Sequence, residues 1–183
     1  MFGETTYLSY SITCAQVDLD FGASPNLWTD VDGHVVVGDL QKAGVYHAVY
    51  ADNMQSAWTA IVAATCVPLC NAGSTAMDGT NVYGMGGPGG HAFSLTKSGA
   101  YRWMTPDGSE AHYQPTSAAN GVVYTIDAKG HLEAFDAATG LPVLQRPTSL
   151  DAGAPTVALS SSGVAIARNT VYVAAAGYVI AYH

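Results

Sequence analysis

The sequence predicts an all-β chain built from repeated, four-stranded antiparallel sheets. Three observations predict it. Short runs of β-branched and aromatic residues recur, each bounded by Gly, Asn or Asp, as expected of strands joined by tight turns. The 183 residues include 20 glycines and 11 tyrosines, with 49% hydrophobic and only 11% charged, so helix-favouring runs of Glu, Lys and Leu are missing. One pattern also repeats. Ala48 to Trp58 and Ala134 to Leu144 both begin with Ala and place a large apolar residue eleventh, and Ala92 to Trp103 reads as a third copy with one extra residue.

The elements follow in order. Upstream of each Ala lies a β run: His34 to Gly38, Thr80 to Gly84, Gly121 to Thr125 and, as a fourth, Thr170 to Ala174. Polar turns precede them at Asp32-Gly33, Asp78-Gly79, Asn120-Gly121 and Arg168-Asn169. A glycine-containing turn and a second short strand follow, as in Val45 to Val49, His131 to Phe135 and Tyr178 to Tyr182. The closing residues Trp58, Trp103 and Leu144 are 45 and 41 residues apart, the length of a four-stranded propeller blade. One blade cannot bury both of its faces, so blades stack around an axis. The expected architecture is a partial β-propeller domain over residues 1–183, of about four blade equivalents, with repeats at roughly 26–58, 74–103, 115–144 and 155–183. The competing architecture is an irregular β-sandwich whose turn spacing mimics a period.

Composition narrows the function. Six Lys and Arg against 14 Asp and Glu give a net charge of −8, a surface that repels phosphate backbones and disfavours nucleic-acid binding. No apolar run is long enough to span a bilayer. The start, Met1 to Thr6, has no basic region followed by an apolar run, so no signal peptide is read there. Of Cys14, Cys66 and Cys70 at least one is unpaired. Cys66 and Cys70 either close a small loop disulfide or stand as two semi-buried thiols, and no histidine pair completes a zinc site with them.

Other features are read as structural. Gly84 to Gly90 is glycine-rich, but no Gly-Lys-Ser/Thr follows, so it is a strand-joining loop and not a phosphate cradle. His47 and His91 each precede a motif Ala, which suggests packing or surface roles. Asp30 and Asp32 flank a turn as solvated acids. No Gly-x-Ser-x-Gly elbow supports a hydrolase.

The repeat resembles the Ala-x-Asp-x-x-Thr-Gly-x-x-x-Trp motif of quinoprotein alcohol dehydrogenases, which use pyrroloquinoline quinone (PQQ) on eight-bladed propellers. Ala134, Asp136, Thr139 and Gly140 match it, with Leu144 in the Trp place; Ala48 and Trp58 match its ends, with Tyr50, Asn53 and Met54 replacing Asp, Thr and Gly. In the family the Trp packs against the neighbouring blade. Asp18 to Leu27 followed by Gly38 to Ala48 is similar to the polyvinyl-alcohol-dehydrogenase-like branch, which has an Asp-Phe-Gly-Ser/Ala-Ser-Pro run and then Gln-Lys-Ser/Ala-Gly. The resemblance implies Asp20 as catalytic base, with Asp18 as the alternative, and Lys42 as the contact to the quinone oxygens. A carboxylate there takes the alcohol's proton as hydride leaves for the quinone, and a cation stabilises the charge that accumulates on the quinone oxygens. It also implies the cofactors PQQ and Ca²⁺, the latter held by Glu and Asn of earlier blades that this sequence lacks. Asn71 to Ser74 lacks the Trp that often lines the family's cofactor site. The partners implied are a small or polymeric alcohol and an electron-accepting cytochrome, in a periplasmic or secreted parent protein. The rival expectation is a non-catalytic interaction propeller, similar to the outer-membrane assembly scaffold lipoproteins that share the repeat.

Tyr178 to His183 stops where an Ala-x-Asp motif would begin. The chain is therefore expected to be a fragment of a larger propeller or a truncated product. Its open sheet edges and apolar blade face are expected to be covered by missing blades or by self-association.

Overall fold

A computed structural model describes residues 19–66, 71–108, 110–158 and 162–183. The expectations placed on Cys14, Asp18 and Cys70 lie outside those residues. The described chain is all-β apart from one helical turn, α1 (Ser149–Ala152). The first sheet runs β1 (Asn26–Thr29), β2 (Val35–Gln41), β3 (Val45–Tyr50) and β4 (Ser56–Ile61). The second runs β5 (Ala76–Met77), β6 (Asn81–Gly86), β7 (His91–Thr96) and β8 (Tyr101–Met104). The third runs β9 (Ser117–Ala119), β10 (Val122–Ile126), β11 (His131–Asp136) and β12 (Pro142–Pro147). The fourth has three strands, β13 (Gly163–Ala167), β14 (Thr170–Ala175) and β15 (Tyr178–Tyr182). In every sheet the strands lie in chain order and pair antiparallel.

The turns carry their own hydrogen bonds. The Asp30 carboxylate accepts from the Asp32 and His34 amides, and Asp78 accepts from Thr80 and Asn81. Asp127 accepts from Lys129 and His131. Short acidic side chains thus replace ladder partners where the strands reverse.

Strand register defines which residues are equivalent. Gly38, Ala48 and Trp58 stand in one row across the first sheet. Tyr83, Ser94 and Trp103 form that row in the second, and Tyr124, Ala134 and Leu144 in the third. In the fourth the row is Tyr172 and Ala181. A bulge follows it in each four-stranded sheet, at Ala48/Val49, Ser94/Leu95 and Ala134/Phe135. Ser94, not Ala92, is therefore the partner of the closing tryptophan in the second sheet. The third copy is shorter than the others, not longer. The shift is two residues, which keeps the same face of a strand, so apolar pattern alone does not reveal it. His91 is consequently not equivalent to His47.

Three apolar cores lie between consecutive sheets. Trp28, Leu40 and Tyr46 pack with Val82, Phe93 and Leu95. Tyr83, Met85 and Ala92 pack with Val123 and Phe135. Ile126 and Leu132 pack with Val164 and Val173. The short strand β9 touches both β5 and β13, so the sheets converge on their first strands, leaving β4, β8 and β12 on the outer rim. The architecture is that of stacked propeller blades.

Outer-rim tryptophans join the blades. The Trp58 indole N–H donates to the Lys97 carbonyl at 2.9 Å, and that of Trp103 to the Ala137 carbonyl at 2.9 Å. Gly99 and Gly140 lie beneath the two rings at φ +83° and +74°. A Cβ on either would sit within 2.7 Å of indole carbons, so both the left-handed backbone and the close approach require glycine.

Candidate functional site

The two residues singled out in the sequence meet at one end of the first sheet. Lys42 lies in the turn between β2 and β3, where Gly44 at φ +79° reverses the chain and the Gly44 N–H donates to the Gln41 carbonyl at 2.8 Å. A Cβ on Gly44 would run into the Ala63 carbonyl. Asp20 reaches this turn because the segment before β1 runs antiparallel to it. Phe21 bridges to Gln41, and the Lys42 N–H donates to the Asp20 carbonyl at 3.2 Å. The side chains then pair, with Lys42 Nζ 2.7 Å from Asp20 Oδ1. The lysine is buried and the carboxylate is 64% exposed. The buried ammonium is thus compensated by a solvent-accessible carboxylate.

Asn71, which the sequence did not single out, fixes the turn from behind. It is fully buried and adopts φ +58°. Its amide donates to the Lys42 carbonyl at 3.1 Å and the Ala64 carbonyl at 2.9 Å, and its Oδ1 accepts from the Gly87 N–H at 2.7 Å. One side chain thereby ties the Lys42 turn, the linker after β4 and the glycine-rich turn between β6 and β7. The Cys66 N–H also donates to the Lys42 carbonyl, at 3.1 Å. Cys66 is disulfide-bonded. Asn71 in the run Asn71-Ala72-Gly73-Ser74 reads as an ordinary turn residue, so only the fold reveals this role.

Histidine–carboxylate pairs continue along the same end. His91 is buried between the Val62 carbonyl, 2.6 Å from Nε2, and Asp107, 2.9 Å from Nδ1. His112 Nε2 lies 2.9 Å from Glu133, which also accepts from Gln145 at 2.9 Å. Burial pushes the Glu133 carboxyl up, but these partners outweigh it and hold it below its ordinary value. Glu133 opens onto a groove of about 380 Å³ between the second and third sheets, lined also by Met104, Leu141, Pro142 and Leu144. That groove does not include Asp20 or Lys42. His47 is half-buried beside Gln41, 3.2 Å away, with Phe21 edge-on to its ring. Burial lowers its pKa. Across the ladder from it, burial raises Asp39 to about 6.

The donor set fits the implied cofactors unequally. For a quinone, the paired ammonium and carboxylate are the right groups on one end of one sheet. For Ca²⁺, the cluster of metal-ligating side chains found among the described residues is Asp30, Asp32 and His34. It lies at the opposite end of β2, so it does not serve a site at Lys42.

Comparison with known proteins follows this geometry. A family model described as outer membrane protein assembly factor BamB matches residues 25–183. BamB from Moraxella catarrhalis aligns over 84% of this chain and 44% of its own, at 18% identity and TM-score 0.52. The quinohemoprotein alcohol dehydrogenase of Comamonas testosteroni aligns over 87% of this chain and 30% of its own, at 18% identity and TM-score 0.58. The computationally designed Ika4 protein aligns over 90% of this chain and 93% of its own, at 13% identity and TM-score 0.63. The chain therefore spans less than half the length of the two natural proteins, and at these identities the likeness is one of fold. No curated protein matches the sequence. No helix among the described residues is long and apolar enough to cross a membrane.

Proposed function

From the premise that this chain belongs to the PQQ-repeat β-propeller family described by the BamB model, we propose that it carries the base-and-cation part of an alcohol-oxidising quinoprotein site. The observation that supports this reading is the 2.7 Å pairing of Lys42 with Asp20, the two residues that the polyvinyl-alcohol-dehydrogenase-like pattern assigns to the site. Asp20 is accessible and its carboxylate accepts the hydroxyl proton of an alcohol. Lys42 orients Asp20 from the buried side and offers its positive charge to the quinone oxygens. PQQ, when bound, supplies the two-electron acceptor for the hydride that leaves the alcohol carbon. Calcium ligands would come from sheets other than those described. The substrate class is a small or polymeric alcohol, and a cytochrome is the electron acceptor. An extracytoplasmic setting accords with the Cys66 disulfide.

The second reading is a non-catalytic scaffold. The family description and the burial of Lys42 against Asp20 favour it. The two separate in alcohol-dependent dye reduction by the protein as encoded, supplied with PQQ and Ca²⁺. The catalytic reading expects Asp20→Asn to cut turnover by roughly 10²–10⁴-fold, the usual contribution of a general base, with PQQ retained. Equal turnover in the variant and wild type would remove Asp20 from the mechanism. No turnover in either, with no PQQ bound, would leave the scaffold.

A further inference from the structure

The junction between the second and third sheets is packed differently from the junction before it. Strand register shows where. Beside the row of Ser94 and Trp103 lie Phe93 and Met104 on one side, and Leu95 and Tyr101 on the other. Beside Ala134 and Leu144 the same places hold Glu133 and Gln145, and Phe135 and Pro142. Phe93 is fully buried in the core between the first and second sheets. The Tyr101 hydroxyl donates to the Ile61 carbonyl across that junction, at 2.6 Å. In the third sheet a carboxylate replaces the phenyl ring and a proline replaces the tyrosine. The groove of about 380 Å³ opens at these replaced positions, with Glu133, Pro142 and Gln145 in its lining.

The exchange gives up stability. A carboxylate at a position that packs as phenylalanine in the neighbouring sheet loses apolar contact and is costly to desolvate. The Glu133 side chain is only 12% exposed. Thr125, its neighbour across the ladder on the same face, is buried, with no hydrogen-bond partner for its hydroxyl among the described residues. Such breaks in a packing rule are expected at functional positions. The groove also has a defined chemistry. Among the described residues that line it, Glu133 is the one charged side chain. Against the upward push of burial, His112 and Gln145 hold its carboxyl below the ordinary value. They use two of the roughly four acceptor positions of a carboxylate. His112 itself is buried and is not part of the lining. Met104, Leu141 and Leu144 are exposed around the carboxylate, so apolar walls lead to one anionic end.

We propose that this groove binds a small organic cation, a primary ammonium on an aliphatic chain. The ammonium donates to Glu133 in a charge-assisted hydrogen bond, and the chain lies against Met104, Leu141 and Leu144. The volume is within the roughly 300–1,000 Å³ of small-molecule sites, which favours a free amine over a protein partner. Asp20 and Lys42 are outside the lining, so the inference does not rest on the quinone reading.

A nuclear magnetic resonance titration of the full chain with n-hexylamine, without cofactor, tests it. Saturable shifts are expected at the Thr105, Leu141 and Gln145 amides, with none at Val36 in the first sheet. n-Hexanol, of equal length and uncharged, should bind at least tenfold more weakly, and n-hexanoate should not bind. Glu133→Gln should weaken hexylamine at least tenfold and leave hexanol unchanged. Leu141→Lys, at a 64% exposed position, leaves the buried pair intact and should weaken hexylamine at least tenfold by repulsion. No saturable shift at the groove, equal affinity for hexylamine and hexanol, or indifference to both substitutions would overturn the inference. So would tighter binding of Nα-acetyl-lysine amide than of hexylamine, which would assign the groove to a protein side chain.

Discussion

Trp103 leaves the outer strand of the second sheet and donates its indole N–H to the Ala137 carbonyl of the third, 2.9 Å away. Its ring lies over Gly140 and tilts against Tyr83, 6.1 Å away. Trp58 repeats the contact on Lys97 and Gly99. These contacts fasten blade to blade. Trp103→Phe should cost about 1 kcal/mol for the lost hydrogen bond, and Trp103→Ala about 3 kcal/mol for the lost ring. Gly140→Ala should resemble the larger loss, since it combines a left-handed backbone with a ring clash. Urea denaturation of the three variants checks the order.

Ser94 stands where Ala48 and Ala134 stand in the flanking sheets, fully buried, with no hydrogen-bond partner for its hydroxyl among the described residues. A buried unpaired hydroxyl is costly. Ser94→Ala should therefore stabilise the chain by about 1 kcal/mol. A loss of stability on denaturation would show that the hydroxyl has a partner in solution.

Much of the fold is legible in the sequence because turn chemistry and a blade-length period are local. Asp78-Gly79 and Asn120-Gly121 mark strand reversals in both sequence and structure. The phase of the second sheet is not legible, because the Ala92 and Ser94 readings differ by two residues and keep the same face. Of the candidate site, Asp20 and Lys42 are legible through a resemblance, and the fold brings their side chains within 2.7 Å. Asn71, His91 and Asp107 are not, because what they do depends on neighbours distant in sequence: Lys42, Val62 and the turn at Gly87.

Asn71 makes three buried hydrogen bonds from a left-handed backbone. Asn71→Ala should cost about 2–4 kcal/mol, since it strands two carbonyls and one amide and adds backbone strain. It should also loosen the Lys42 turn. Faster amide exchange at Gly87 and Cys66 than at Val123 would show that the loosening is local.

Asp39 predicts a pH dependence. Burial holds its carboxyl at about 6 against an ordinary 3.8. The folded state therefore binds this proton more tightly than the unfolded state. The associated stability is fully present below about pH 3.8 and is lost as pH rises through about 6. Asp39→Asn should raise the melting temperature at pH 7.5 by a few degrees, on the scale of about 2–4 °C per kcal/mol for a chain of this size. At pH 4 the variant and wild type should melt together. A gain of equal size at both pH values would point to packing instead of charge.

Equilibrium dialysis of PQQ against the protein tests whether Lys42 contacts the cofactor. The predicted result is saturable binding, weakened at least tenfold by Lys42→Ala and kept within a few-fold by Lys42→Arg and Asp20→Asn, each tenfold being about 1.4 kcal/mol. Absence of saturable binding, or equal affinity in wild type and Lys42→Ala, would contradict it.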